Sequence, residues 1–141
     1  GAGWLENMDQ VKALLSLNGH GDLKRFIAEN GIDHIRAYNL SKEAVIVWGI
    51  ANTERLLAKN LRVNSVSPAA VNTGILGDFV TAFGEKMARN VERVGRPGTP
   101  EEVADVIMFL ISSASGWLKG NNITIDGGIS ALALADHFEL S

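Results

Sequence analysis

The pair of residues in this chain best suited to moving a proton is Tyr38 and Lys42, within Tyr38-Asn39-Leu40-Ser41-Lys42. Tyr38 is the only tyrosine in 141 residues. In a helix, a spacing of four puts both side chains on one face, one turn apart. An ammonium beside a phenol favours the phenolate and so lowers a phenol's pKa. Such a pair can pass a proton to or from a carbonyl or alcohol oxygen near neutral pH. Other chemistry-bearing residues carry weaker signals. His20, His34 and His137 share no metal-ligand spacing, and the absence of cysteine excludes disulfide scaffolds and Cys-ligated metals. His34 reads as a surface histidine, with a substrate-facing role as the alternative. Glu101 and Glu102 are adjacent carboxylates at a predicted helix start, where they serve the dipole and the cap rather than acid–base chemistry.

These residues need elements to hold them. Apolar spacing predicts a helix over Asn7–Leu17 through Met8, Val11, Leu14 and Leu15. After a break at residues 18–21, Asp22 is the expected cap of a second helix reaching Glu29, closed by Asn30-Gly31. A third helix is predicted over Ala37–Lys59. Its middle, Ala44–Ala51, is apolar nearly all round and is expected to be buried on most sides. Gly49 within it points to a close backbone approach or to simple tolerance. Residues 62–67 alternate and run into Pro68, which reads as a strand entering a loop. Residues 69–98 read as loop with one or two short helices. They carry Ile75, Leu76, Phe79, Val80, Phe83 and Met87, which at helical spacing are either core or a lid. Thr99-Pro100-Glu101-Glu102 has the form of a capping box with proline at the first helical position. Asn122–Asp126 reads as a strand closed by Gly127-Gly128. Helix, strand, helix, strand is the order of a parallel α/β fold, although two strands are few for such a sheet.

Composition sets the outer bounds. Hydrophobic residues make up 46% and charged residues 21%, with a net charge of −3, which suits one soluble globular domain. No basic block favours nucleic acid or an anionic membrane surface. The longest plainly apolar run is too short to span a bilayer, and no segment looks like a signal peptide. A cytoplasmic setting is expected.

The ordered set Tyr38-x-x-x-Lys42, Asn64-Ser65-Val66-Ser67-Pro68, Thr73, Gly95-Arg96-Pro97 with its Pro-Glu-Glu helix start, and Ile125-Asp126-Gly127-Gly128 resembles the short-chain dehydrogenase/reductase family over roughly residues 34–130. Within the family it looks most like the branch of bacterial 3α-hydroxysteroid and coniferyl-alcohol dehydrogenases. The resemblance implies the C-terminal part of a Rossmann-type doubly wound parallel sheet, helix-rich and incomplete on its own. Residues 1–35 would be a helical insertion before the active-site helix, and residues 36–141 the C-terminal half of the dinucleotide-binding fold. It further implies that Tyr38 is the general acid/base and that Lys42 holds the nicotinamide ribose and supports the tyrosine. Pro68, Ala69, Val71 and Thr73 would line the nicotinamide of NAD or NADP, with NAD favoured. Ala69 departs from the family's usual glycine, and an added Cβ restricts the backbone there.

Two further parts of the family pattern are not found. Gly19-His20-Gly21-Asp22-Leu23-Lys24 and Gly1-Ala2-Gly3-Trp4-Leu5-Glu6 are each only half of a phosphate-binding glycine turn, and no strand precedes either. No serine stands in the window a dozen or so residues before Tyr38, where the sequence reads Lys24-Arg25-Phe26. The expected parent is therefore an NAD(P)-dependent oxidoreductase for a hydrophobic secondary alcohol or ketone, steroid-like or aromatic, assembled as a homodimer or homotetramer. This chain would be a truncated piece of it, inactive alone. The alternatives are a non-catalytic oligomerisation module, and an unrelated helical protein with no strand at residues 62–67. Trp4 is either an aromatic wall or a packing residue.

Overall fold

The computed structural model describes residues 3–74, 84–85 and 88–140. They form two compact units, one holding the residues up to Ser65 together with Lys119–Asn121, the other the remainder. No helix among the described residues is long and apolar enough to cross a membrane.

The first unit is built from four helices: α1 (Met8–Leu15), α2 (His20–Glu29), α3 (His34–Ala51) and α4 (Thr53–Leu57). Its core joins Val11, Phe26, Leu40, Ala44 and Val47, with Trp4, Met8, Leu14, Leu17 and Ile32 packed against them. Trp4 is thus a packing residue. The second helix starts at His20, two residues before the expected Asp22 cap, with Gly19 at its N-cap. Helix α3 starts at His34 rather than Ala37 because the Asp33 side chain accepts from the Arg36 N–H at 2.7 Å, a cap that satisfies one of the free amides of the first turn.

The third helix is also shorter than predicted. Asn52 Nδ2 donates to the Trp48 carbonyl at 2.8 Å and Thr53 Oγ1 to the Gly49 carbonyl at 2.9 Å. Side-chain donors of this kind compete with the helical ladder, and the helix breaks at Asn52 into α3 and α4. The expectation that Ala44–Ala51 is buried on most sides is corrected. Ala44, Ile46, Val47 and Gly49 are buried, whereas Val45 (57% exposed), Trp48 and Ile50 are open. Apolar character marks the positions that favour cover; at Val45, Trp48 and Ile50 that cover is missing within the unit.

The second unit carries β1 (Ser65–Pro68), α5 (Pro100–Ile111), β2 (Asn122–Ile125) and α6 (Ile129–His137), with further helical residues at 88–94. β1 and β2 pair as a two-stranded sheet. The Ser65 N–H donates to Asn121 O at 2.9 Å and the Ala69 N–H to Ile125 O at 3.1 Å. Both partners advance by four residues in the same direction, which is the parallel register. The strand at residues 62–67 therefore exists but is displaced to Ser65–Pro68. Asn64 stands before it and accepts the Asn121 N–H on its side-chain oxygen at 3.1 Å, a structural hydrogen bond. Helix α5 has the anticipated capping box, Thr99 and Glu102 each receiving the other's backbone N–H.

Candidate active site

Tyr38 and Lys42 sit one turn apart on α3, both exposed, with Lys42 Nζ 5.4 Å from the centroid of the Tyr38 ring. Helical geometry explains why this face is open. At about 100° per residue, Tyr38 and Lys42 lie about 40° apart, while Leu40, Ala44 and Val47 point about 180–240° away from Tyr38. Those three are the α3 residues of the unit's core. Burying one side of the helix thus presents the tyrosine–lysine stripe on the other. Ser41 donates its hydroxyl to the Tyr38 carbonyl at 2.7 Å within the same turn.

Behind this stripe lies an ionic cluster that spacing alone did not reveal. Arg36 grips Glu43 with two parallel hydrogen bonds, Nη1 to Oε1 at 3.0 Å and Nη2 to Oε2 at 2.8 Å. Its Nε donates to Gln10 Oε1 at 2.7 Å, and Asn7 Nδ2 donates to Glu43 Oε1 at 3.2 Å. The Glu43 side chain is only 3% exposed. The hydrogen bond from Arg36 holds its carboxyl below the ordinary range, against burial, which pushes it up. The spacing gave no such signal, because Arg36 stands one residue before the helix predicted to start at Ala37; only the start of α3 at His34 brings it onto the same helix as Glu43.

The other predicted site residues belong to the second unit. Pro68 ends β1, and the chain continues through Ala69 and Val71 to Thr73, which is exposed. This loop is pinned. Val71 forms a parallel bridge with Gly98, the Gly98 N–H donates to Ala70 O at 2.9 Å, and the Asn72 N–H donates to Gly98 O at 2.8 Å. Among the described residues, only Asn60 and Glu139 have positive φ without being glycine. Ala69 therefore accommodates its Cβ without strain where the family usually has glycine. A cavity of about 350 Å³ opens beside this loop, walled by Ala69, Val71, Val94, Val103, Ile125 and Ile129 among others. The apolar set Ile75, Leu76, Phe79, Val80, Phe83 and Met87 lies outside the described residues.

Three charged residues that line the cavity have structural partners. Arg96 binds Glu102 through two contacts of 2.9 and 2.6 Å. With the Thr99 N–H they bring the Glu102 carboxyl down to about 2. Asp126 accepts the N–H groups of Gly128 and Ser130 at 2.9 and 2.8 Å. Burial pushes its carboxyl up, but hydrogen bonds from the Ser130 side chain and these backbone groups outweigh it and hold the carboxyl low. Among the described residues no group of His, Asp and Glu is placed to hold a metal ion.

Comparison with known proteins identifies the family. A family model described as enoyl-(acyl carrier protein) reductase matches residues 22–130. The chain is 34% identical to the coniferyl-alcohol dehydrogenase of Pseudomonas sp. (strain HR199 / DSM 7063), covering 93% of this chain and 52% of that protein. It is 32% identical to the 3-alpha-hydroxysteroid dehydrogenase/carbonyl reductase of Comamonas testosteroni, covering 95% and 49%. Among solved structures, it matches the 3-alpha-hydroxysteroid dehydrogenase from Pseudomonas sp. B-0831 complexed with NADH. That match has a TM-score of 0.72 and 31% identity, covering 94% of this chain and 52% of that one. The chain spans about half the length of the curated relatives it matches. Its parallel pairing and helix-rich α/β order fit part of a Rossmann-type fold, and the chain belongs to the short-chain dehydrogenase/reductase family.

Proposed function

We propose that this chain is the C-terminal half of an NAD(P)-dependent oxidoreductase that interconverts a hydrophobic secondary alcohol and its ketone. Tyr38 is its general acid/base and Lys42 its ribose-binding partner. The observation that carries this reading is the exposed tyrosine–lysine stripe on α3, held one turn apart with the ammonium 5.4 Å from the ring centroid. α1 and α2 form the helical segment ahead of the active-site helix, which begins at His34 rather than at residue 36.

The chain's residues fit only one end of a dinucleotide. Taken unit by unit, the exposed Lys42 of the first would suit ribose hydroxyls and the exposed Thr73 of the second a carboxamide, whereas no Gly-x-Gly-x-x-Gly turn for the pyrophosphate follows a strand among the described residues. Pro68, Ala69 and Val71 would shape the nicotinamide side of the loop, whose backbone is fixed by the Val71–Gly98 bridge. When bound, the nicotinamide supplies or accepts hydride. Tyr38 gives its hydroxyl proton to the carbonyl oxygen during reduction and takes it back during alcohol oxidation. Lys42 orients the ribose and keeps positive charge next to the phenol. The names of the relatives favour an aromatic alcohol or a 3α-hydroxysteroid as substrate, and NADH in the matched steroid dehydrogenase favours NAD over NADP.

The test is spectrophotometric: the full-length natural protein is supplied with NAD or NADP and with a secondary aromatic alcohol such as 1-phenylethanol or a 3α-hydroxysteroid. Reduced nicotinamide absorbance should appear, and its absence with every pairing of cofactor and alcohol refutes the reading. The second reading, an oligomerisation module, draws on the exposed Val45 and Trp48 of α3 and the exposed Met108 and Ile111 of α5. Saturable NADH binding by the 141-residue chain would count against it.

A further inference from the structure

We propose that Arg36 and Glu43 are positioning residues for the Tyr38–Lys42 stripe, fixing the rotation of α3 against α1. The proposal rests on the catalytic reading of Tyr38. Its geometry lies wholly within the first unit. Asn7, at the N-cap of α1, and Gln10, inside α1, each bond one partner of the pair. All three guanidinium nitrogens and both carboxylate oxygens are engaged. Glu43 is 2% exposed, in the midst of an otherwise apolar buried face.

With Glu43 buried and Arg36 a quarter exposed, the ion pair is a poor device for stability, because an apolar pair of similar volume commonly serves as well. A two-pronged Arg–carboxylate pair supplies direction instead, since its planes and distances tolerate little rotation. Leu40, Ala44 and Val47 supply contact without direction: an apolar face can slide or roll with small loss. Arg36 and Glu43 lie about 140–160° around the helix from Tyr38. Neither side chain needs to touch the reacting atoms, so any influence passes through the orientation of α3. A side chain about 6 Å from the helix axis moves about 1 Å for a roll of about 10°. A misplacement of that size is enough to slow a positioned reaction by up to about a hundred-fold.

The experiment uses the full-length natural protein and two variants. The double variant Arg36→Met/Glu43→Leu removes both charges and keeps the volume. The single variant Glu43→Gln keeps the shape and removes the charge. Three readouts are taken: the thermal midpoint, kcat and KM with the nicotinamide cofactor and an alcohol, and amide hydrogen exchange over residues 36–51. The expected result for the double variant is a native-like midpoint, a cofactor KM within about two-fold, a kcat lowered about ten-fold or more, and faster exchange along α3. An unchanged kcat in a folded double variant overturns the proposal and leaves the pair a packing feature. If the double variant does not fold, Glu43→Gln decides by the same kcat criterion; if that too fails to fold, the pair is structural and the proposal is overturned. A wild-type protein without turnover refutes the catalytic reading separately. Exchange then decides the orientation claim: faster exchange in a folded variant supports it and unchanged exchange overturns it.

Discussion

Replacing Gly49 by alanine tests how α3 is packed along the stripe that carries Tyr38. Positions 38, 42, 45 and 49 follow one another at helical spacing, so Gly49 continues the line of Tyr38 and Lys42. It is buried, and among the described residues a Cβ built there meets only Val63 Cγ2, at 3.6 Å. That is an ordinary contact and requires no displacement of the helix. Glycine inside a helix is about 1 kcal/mol less favourable than alanine, and burying one methyl against Val63 contributes up to about 0.8 kcal/mol. Allowing for partial burial, Gly49→Ala should stabilise the chain by about 1–1.5 kcal/mol. For a domain of this size the thermal midpoint should rise by about 3–6 °C. Thermal and urea unfolding followed by far-UV circular dichroism measure both quantities. A midpoint lowered by the substitution would refute the reasoning, and would mean that another backbone approaches Gly49 more closely than Val63 does.

Two further outcomes follow from the described contacts. Gly120 has φ +72°, and a Cβ there would lie 2.6 Å from Thr53 Oγ1, the hydroxyl that donates to Gly49 O. Gly120→Ala should therefore cost about 2–4 kcal/mol in urea unfolding, and a neutral effect would contradict the turn geometry. Glu43 and Glu102 have folded carboxyl pKa values below their ordinary 4.5, Glu102 at about 2. A lowered folded pKa means that their contribution is complete above about pH 5 and is lost as pH falls toward the folded values. The thermal midpoint should be level from pH 7 to about 5.5 and decline below about 4.5. Glu43→Gln should flatten part of the decline, and a midpoint that rises toward pH 3 would contradict the assignment.

The parts of the fold visible in the sequence are those fixed by local chemistry. Thr99-Pro100-Glu101-Glu102 announces α5 because the cap, the proline and the acidic first turn all act within four residues. The Tyr38–Lys42 stripe is legible for the same reason, since helical spacing alone sets it. What escaped depends on partners distant in the chain or on side chains that compete with the backbone. β1 begins only at Ser65, whose N–H donates to Asn121 O from a segment distant in the chain. α3 breaks at Asn52 because Asn52 and Thr53 bond back to the preceding turn. α6 carries no cap residue immediately before it: Gly128 stands at its N-cap, while Asp126, two residues earlier, accepts the free N–H groups. The Arg36–Glu43 pair was hidden because a charged pair on a helix ordinarily signals solvent. Only the placement of α1 against it, through Asn7 and Gln10, makes it interior.

In the proposed function, Tyr38 is the group that handles the substrate oxygen's proton. The most direct measurement is the turnover of Tyr38→Phe in the full-length natural protein, with NADH binding followed in the same samples by fluorescence. The expected result is a kcat lowered by about 10²–10⁴-fold, with NADH affinity changed by no more than a few-fold. A Tyr38→Phe protein that turns over its alcohol within a few-fold of wild type would contradict the central claim.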